Sequence, residues 1–259
     1  MISILLVVFI ILIALIGGDR GVVSLMAIVG NLFVFFAMIW SMTSGLNPYL
    51  VTIVGCVFIN CFTLVYQNGK NIKTYSAFIS VVIIMALLLA VVFLFSNHLH
   101  LEGLNEIELK GEIASYYSFI VNVDMHQVSI CLILIGLLGA VMDTAVSVSS
   151  GLYEIATAGK HTVNELFLSG MSIGKDILST TINTLYFAYI GEALMLLIYL
   201  KDYNYSLLEI VNSKAFLQDF TCIIFSMIGC LLIIPVTSYI SSKLFVSEEP
   251  VADHSASES

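Results

Sequence analysis

The chain has 259 residues, 59% of them hydrophobic and 10% charged, against about 25% charged in an ordinary soluble domain. Its apolar residues gather into runs of about 17–25, the length that crosses about 30 Å of hydrocarbon as a helix. That excludes a soluble enzyme and, in the absence of alternating patterning, a membrane β-barrel; the formal charge of −9 lies largely in loops and tail and forms no basic patch for nucleic acid.

Lipid offers no partner to a backbone N–H or C=O, so each run must satisfy its own groups as a helix. The expected architecture is an all-α, polytopic transmembrane bundle of about seven spans over residues 1–246. The first span, 2–16, closes at Gly17-Gly18-Asp19-Arg20; the basic leader and small-residue cleavage site of a secretory signal are missing there. The second, 21–42, and third, 49–66, are divided by the turn Gly45-Leu46-Asn47-Pro48. The fourth covers 77–95. An external loop, 96–127, follows, acidic from Glu102 to Glu112 and apolar enough over 113–123 to lie along the interface. The fifth, sixth and seventh spans are 128–153, 177–200 and 220–245, and the acidic, serine-rich tail 247–259 is expected to be disordered. An eighth span, or loss of the first, changes only the side on which the N-terminus lies.

Placing the N-terminus outside and the C-terminus in the cytoplasm leaves Arg20, Lys70, Lys73, Lys160, Lys175 and Lys243 inside, against Lys110, Lys201 and Lys214 outside, which follows the positive-inside rule. The expected location is the cell membrane. All five cysteines fall in apolar runs without CxxC spacing and read as packing residues. His98 and His100, with Glu102 and a distant His126, lack the fixed spacing of a metal site. No metal or other cofactor is expected.

The chemistry concentrates in the fifth and sixth spans. Asp143 stands 15 residues into the fifth, about 22 Å along it at about 1.5 Å per residue, near the bilayer midplane. A carboxylate there costs about 2.5–3.5 kcal/mol on insertion scales and is a functional candidate by default. At about 100° per residue, Gly136, Gly139, Asp143, Ser147, Ser150 and Glu154 fall within about 40° of one line. Gly136, Gly139 and Ala140 are expected to admit a neighbouring helix, and Asp143, Thr144, Ser147 and Ser150 to carry a proton or contact a substrate. On the sixth span Asp176, Thr180, Asn183 and Phe187 share a face, so Thr180 and Asn183 join the candidate set. Ser169–Asp176 is expected to be a short turn leading into that span, and Glu192 points about 180° away from Asn183. Asn31 and Asn60 read as interhelical hydrogen bonders.

At these residues a resemblance emerges. Asn68-Gly69-Lys70 with Lys73-Thr74, Gly139-Ala140-Val-Met-Asp143-Thr144-Ala-Val-Ser147, Ser169-Gly170-Met171-Ser172-Ile173-Gly174-Lys175-Asp176-Ile177, Asn183-Thr184-Leu185 and Ala188-Tyr189-Ile190-Gly191 resemble the YibE/F-like membrane proteins. The similarity spans about residues 19–243. The length is similar to that of the shorter member of a pair, which implies a YibE-like membrane partner, the alternative being a homo-oligomer. More distantly, Gly139–Ala145 and Leu178–Leu185 resemble the paired helices of RND-type permeases and their export relatives. There an intramembrane Asp takes part in proton movement, a role the resemblance assigns to Asp143. The chain departs from those proteins in lacking a large extracytoplasmic domain and in carrying Ser150 where the export subunits have an acid.

The leading expectation is therefore a permease-like subunit of a transport system, with a non-transporting scaffold or assembly subunit as the second reading. An intramembrane hydrolase is the third. An aspartyl mechanism needs a second acid on a facing helix, which neither Glu192 nor Asp176 supplies, and no histidine lies within a span to activate a serine. The chain is not expected to be an enzyme.

Overall fold

The computed structural model describes residues 1–99, 125–159, 161–202 and 204–247. These form seven α-helices: α1 (Ile2–Thr43), α2 (Pro48–Asn60), α3 (Ile72–Leu99), α4 (Met125–Ala158), α5 (Val163–Asp202), α6 (Leu207–Val211) and α7 (Lys214–Ser247). A π-helical stretch, Cys61–Tyr66, continues α2. Among the described residues six helices are long and apolar enough to cross a membrane, α6 being the exception. The fold is an all-α polytopic bundle.

Local chemistry sets the ends. Gly18 breaks α1, with φ 53° and ψ −137°, a backbone state open to glycine because it has no Cβ. The bend is tight enough that a Cβ on Gly21 would collide with the Ile13 backbone. Asn47 caps α2, its side chain accepting from the Tyr49 N–H at 2.9 Å, and Pro48 occupies the first turn, where its missing N–H costs nothing. At the start of α5 the Thr162 N–H donates to Glu165 Oε2 at 2.9 Å, while the Glu165 N–H donates to the Thr162 hydroxyl at 3.3 Å. This capping box starts the helix well before the expected boundary at 177, so Ser169–Asp176 is helix interior, not a lead-in turn. A second capping box, Ser206 with Glu209, builds the short α6 between α5 and α7.

Helices α3, α4, α5 and α7 make an up-and-down bundle, with α7 packed along the other three and α2 lying against α4. Leu88, Leu134, Leu137, Val141, Val148, Leu152 and Ile233 are fully enclosed in its core. Close approach is bought with small residues: a Cβ on Gly174 would collide with Ile234, and one on Gly170 would sit 2.8 Å from Leu152 and 2.7 Å from the Ser238 hydroxyl. Gly170 and Gly174 are thus a small-xxx-small contact on α5. On α7, Gly229 admits Val141 and Leu88 in the same way.

Three buried hydroxyls pin α3, α4 and α7 together. Ser76 and Ser149 lie 2.7 Å apart, the Ser241 hydroxyl donates to Ser76 at 3.1 Å, and Ser149 donates to the Lys73 carbonyl at 2.7 Å. Tyr153 and Phe245 pack edge to face at the same end. On the other flank, Asn31 donates to Thr63 at 2.8 Å, Gln67 to Ser24 at 2.9 Å, and Asn60 to the Phe78 carbonyl at 3.3 Å, so both asparagines do bond between helices. These contacts gather Arg20, Lys70, Lys73, Lys175 and Lys243 at one end of the bundle, with Lys201 and Lys214 at the other. The residues between α3 and α4, including the acidic loop, His100, Glu102 and the 113–123 segment, lie outside the described residues, as do Lys160 and the tail beyond Ser247.

Candidate functional site

Helix α4 is the most enclosed span, packed against α2, α3, α5 and α7. One line along it stays open: Leu132, Gly136, Gly139, Asp143, Ser147 and Glu154 are its exposed residues up to the last turn. Apart from Leu132, that line is the glycine and polar stripe read from the sequence. Ser150 lies at its half-buried margin, as does Ala140. Thr144 does not belong to it. It is fully buried, and its hydroxyl donates to the Ala140 carbonyl at 2.8 Å, because one residue's 100° turn carries it off the stripe into the bundle.

Two contacts set the register of α5 beside this line. Gly151 lies against Ile173, and a Cβ on Gly136 would stand 3.7 Å from the Tyr189 hydroxyl. The helices are antiparallel, so eight residues from the Gly151–Ile173 contact brings Asp143 level with Thr181. Thr180, Asn183 and Thr184 are exposed at that level. The Thr180 and Thr184 hydroxyls donate to the Ile177 and Thr180 carbonyls at 2.8 and 2.9 Å, which leaves their oxygens free to accept. Neither Asp143 nor Asn183 makes a hydrogen bond or ion pair with another described residue.

The seam has distinct ends. At one, Tyr189 reaches across to Ser226 at 3.2 Å and Cys222 at 3.5 Å on α7, in the space that Gly136 leaves. At the other, Glu154, Lys175 and Asp176 are exposed, and the Lys73 ammonium sits 5.7 Å over the Tyr153 ring. Gly136 therefore packs within the chain, whereas a Cβ on Gly139 would meet nothing within 4 Å. Among the described residues no group of three or more His, Cys, Asp and Glu is arranged to hold a metal. The side chains of His98, His126 and Glu192 are outside the described ones.

Sequence reading missed the packing role of Gly170 and Gly174. Their four-residue spacing was the available signal, hidden in a stretch polar enough to resemble a turn. It also missed the Ser76–Ser149–Ser241 cluster, whose members lie 73 and 165 residues apart and share no local pattern.

No curated protein and no solved structure matches the chain. Residues 5–247, nearly the whole length, match the family described as YibE/F-like protein. The chain is a membrane-embedded helical bundle that belongs to the YibE/F-like family.

Proposed function

We propose that this protein is a permease-like subunit of a transport system, in which Asp143 binds and releases a proton or contacts the substrate. The observation that carries the reading is the exposed carboxylate midway along the most enclosed helix, with no hydrogen bond or ion pair among the described residues. Lipid is a poor neighbour for such a group, so the seam calls for water or a polar surface from another helix. Ser147 and Ser150 on α4, with Thr180 and Asn183 on α5, supply neutral donors and acceptors along the path. The open side at Gly139 is where a YibE-like partner or a second copy of the chain completes it. The cluster of basic residues at one end favours a cytoplasmic location for that end and for the C-terminus in the cell membrane. With a crossing on each side of Gly18, the N-terminus lies outside.

The test uses the full chain, co-expressed with its membrane partner and reconstituted in vesicles holding a pH-sensitive dye. Asp143→Asn keeps size and hydrogen bonding but cannot titrate, and abolishes proton flux while leaving the complex intact. Asp143→Glu retains part of the flux. Full flux in the Asn variant would remove Asp143 as a proton carrier and favour the scaffold reading.

A further inference from the structure

On the far side of α4 from the seam lies a second feature. Leu134, about 180° around the helix from Asp143, closes a cavity of about 70 Å³ between α2, α3 and α4. Val81 and Met85 of α3 and Cys56 of α2 form much of its apolar wall, and two polar residues, Thr52 and Asn60, also line it. Both are 1% exposed; among the described residues the Asn60 carbonyl oxygen Oδ1 has no hydrogen-bond partner, whereas the Thr52 hydroxyl has the Cys131 thiol of α4 beside it. One N–H of the Asn60 amide donates to the Phe78 carbonyl at 3.3 Å, which orients the side chain, and Oδ1 is the atom left without a partner among the described residues. The π-helical stretch begins at the next residue, a rare distortion that concentrates at functional sites.

We propose that this cavity binds the hydroxyl-bearing end of a slender lipophilic molecule entering from the bilayer. An amide oxygen can only accept, so the complementary group is a donor, and the Thr52 hydroxyl beside the same cavity, with its proton toward Cys131, keeps an oxygen that accepts as well. A charged head group is excluded, because no opposite charge lines the wall to offset its desolvation. At about 30 Å³ for a water-sized group, the space takes about two such groups, a hydroxyl and its first carbon. The rest of the chain stays in lipid. Entry is lateral, because Ile53 and Val57 of α2 and Ala86 of α3 line the cavity and are themselves exposed on the helix surface. The site is independent of the Asp143 seam and stands or falls separately from it.

A diazirine-bearing octanol tests this on the full-length protein in lipid nanodiscs, with labelled residues mapped by mass spectrometry and a diazirine-bearing octane as the control. The expected result is saturable octanol labelling at Val57, Met85 and Ala86, displaced by plain octanol, with no saturable octane labelling there. Asn60→Leu weakens the competition about fivefold, the loss expected for one hydrogen bond. Ala86→Phe, which blocks the mouth without touching a polar group, abolishes the saturable labelling and keeps the fold. Labelling spread evenly over the exposed faces of α1 and α3 would overturn the proposal. So would equal saturable labelling by the octane, or no labelling at all, the last meaning that waters satisfy Asn60.

Discussion

Replacing Asp143 by Leu tests the premise on which the transport reading rests, that this carboxylate lies deep in the bilayer. In α4 it stands 18 residues from Met125 and 15 from Ala158, about 27 and 22 Å from the two ends, close to the centre. On insertion scales an Asp at a helix centre costs about 2.5–3.5 kcal/mol, whereas Leu contributes about 0.3–0.6 kcal/mol favourably. The substitution should therefore improve insertion by about 3–4 kcal/mol. The assay places residues 125–158 as a guest helix between two glycosylation acceptor sites in microsomes and reads the ratio of singly to doubly modified product. Glu154→Leu is the control, since Glu154 stands four residues from the helix end and its substitution should gain less than about 1 kcal/mol. Equal gains at the two positions would place Asp143 at the interface and remove the reason to assign it a role in transport. In the assembled protein the better-inserting Leu variant should nevertheless be inactive.

The glycines make a paired prediction. Gly174→Val forces a side chain into Ile234 and should cost about 1–3 kcal/mol by thermal unfolding in detergent, whereas Gly139→Val meets open space, leaves the isolated chain's melting temperature unchanged and lowers recovery of its complex. In α6, the backbone N–H and then the hydroxyl of Ser206 hold the exposed Glu209 carboxyl below its usual range. A lowered folded-state pKa gives stability that is present above the unfolded value of about 4.3 and lost as pH falls, so the protection of amides over 207–211, relative to intrinsic exchange at each pH, should fall in acid, and Glu209→Gln should flatten that dependence. Cysteines introduced at Asn71 and at Asn204, in a background lacking the native five, should react with an impermeant thiol reagent from opposite sides of the membrane; modification from one side would refute the up-and-down bundle.

Much of the fold was legible because a membrane permits few solutions. The break at Gly17-Gly18 showed as two glycines beside two charges, and the Asp143 stripe as helical phase. The start of α5 did not, because Asn164, Glu165, Ser172, Lys175 and Asp176 depress hydropathy over a segment that is nonetheless helical. A hydropathy reading locates where lipid begins, whereas the Thr162–Glu165 cap sets where the helix begins. Within the site, Thr144 misled because adjacency in sequence is not adjacency on a helix face. The exposure of the seam was out of reach for another reason. Phase shows that polar residues align, but only the placement of α2, α3, α5 and α7 shows that, among the described residues, Gly139, Asp143 and Ser147 stay exposed on that line.

The buried triad of Ser76, Ser149 and Ser241 gives the bundle a mechanical asymmetry. It fastens three helices at the basic end, and the glycine contacts of α5 with Leu152, Ser238 and Ile234 fall in the same half. Gly136 lies 13 residues from Ser149, about 20 Å along α4. Over that distance the fastening changes from hydroxyls to apolar packing through Leu134 and Leu137, and polar contact between helices returns where Tyr189 of α5 meets Ser226 of α7 at 3.2 Å.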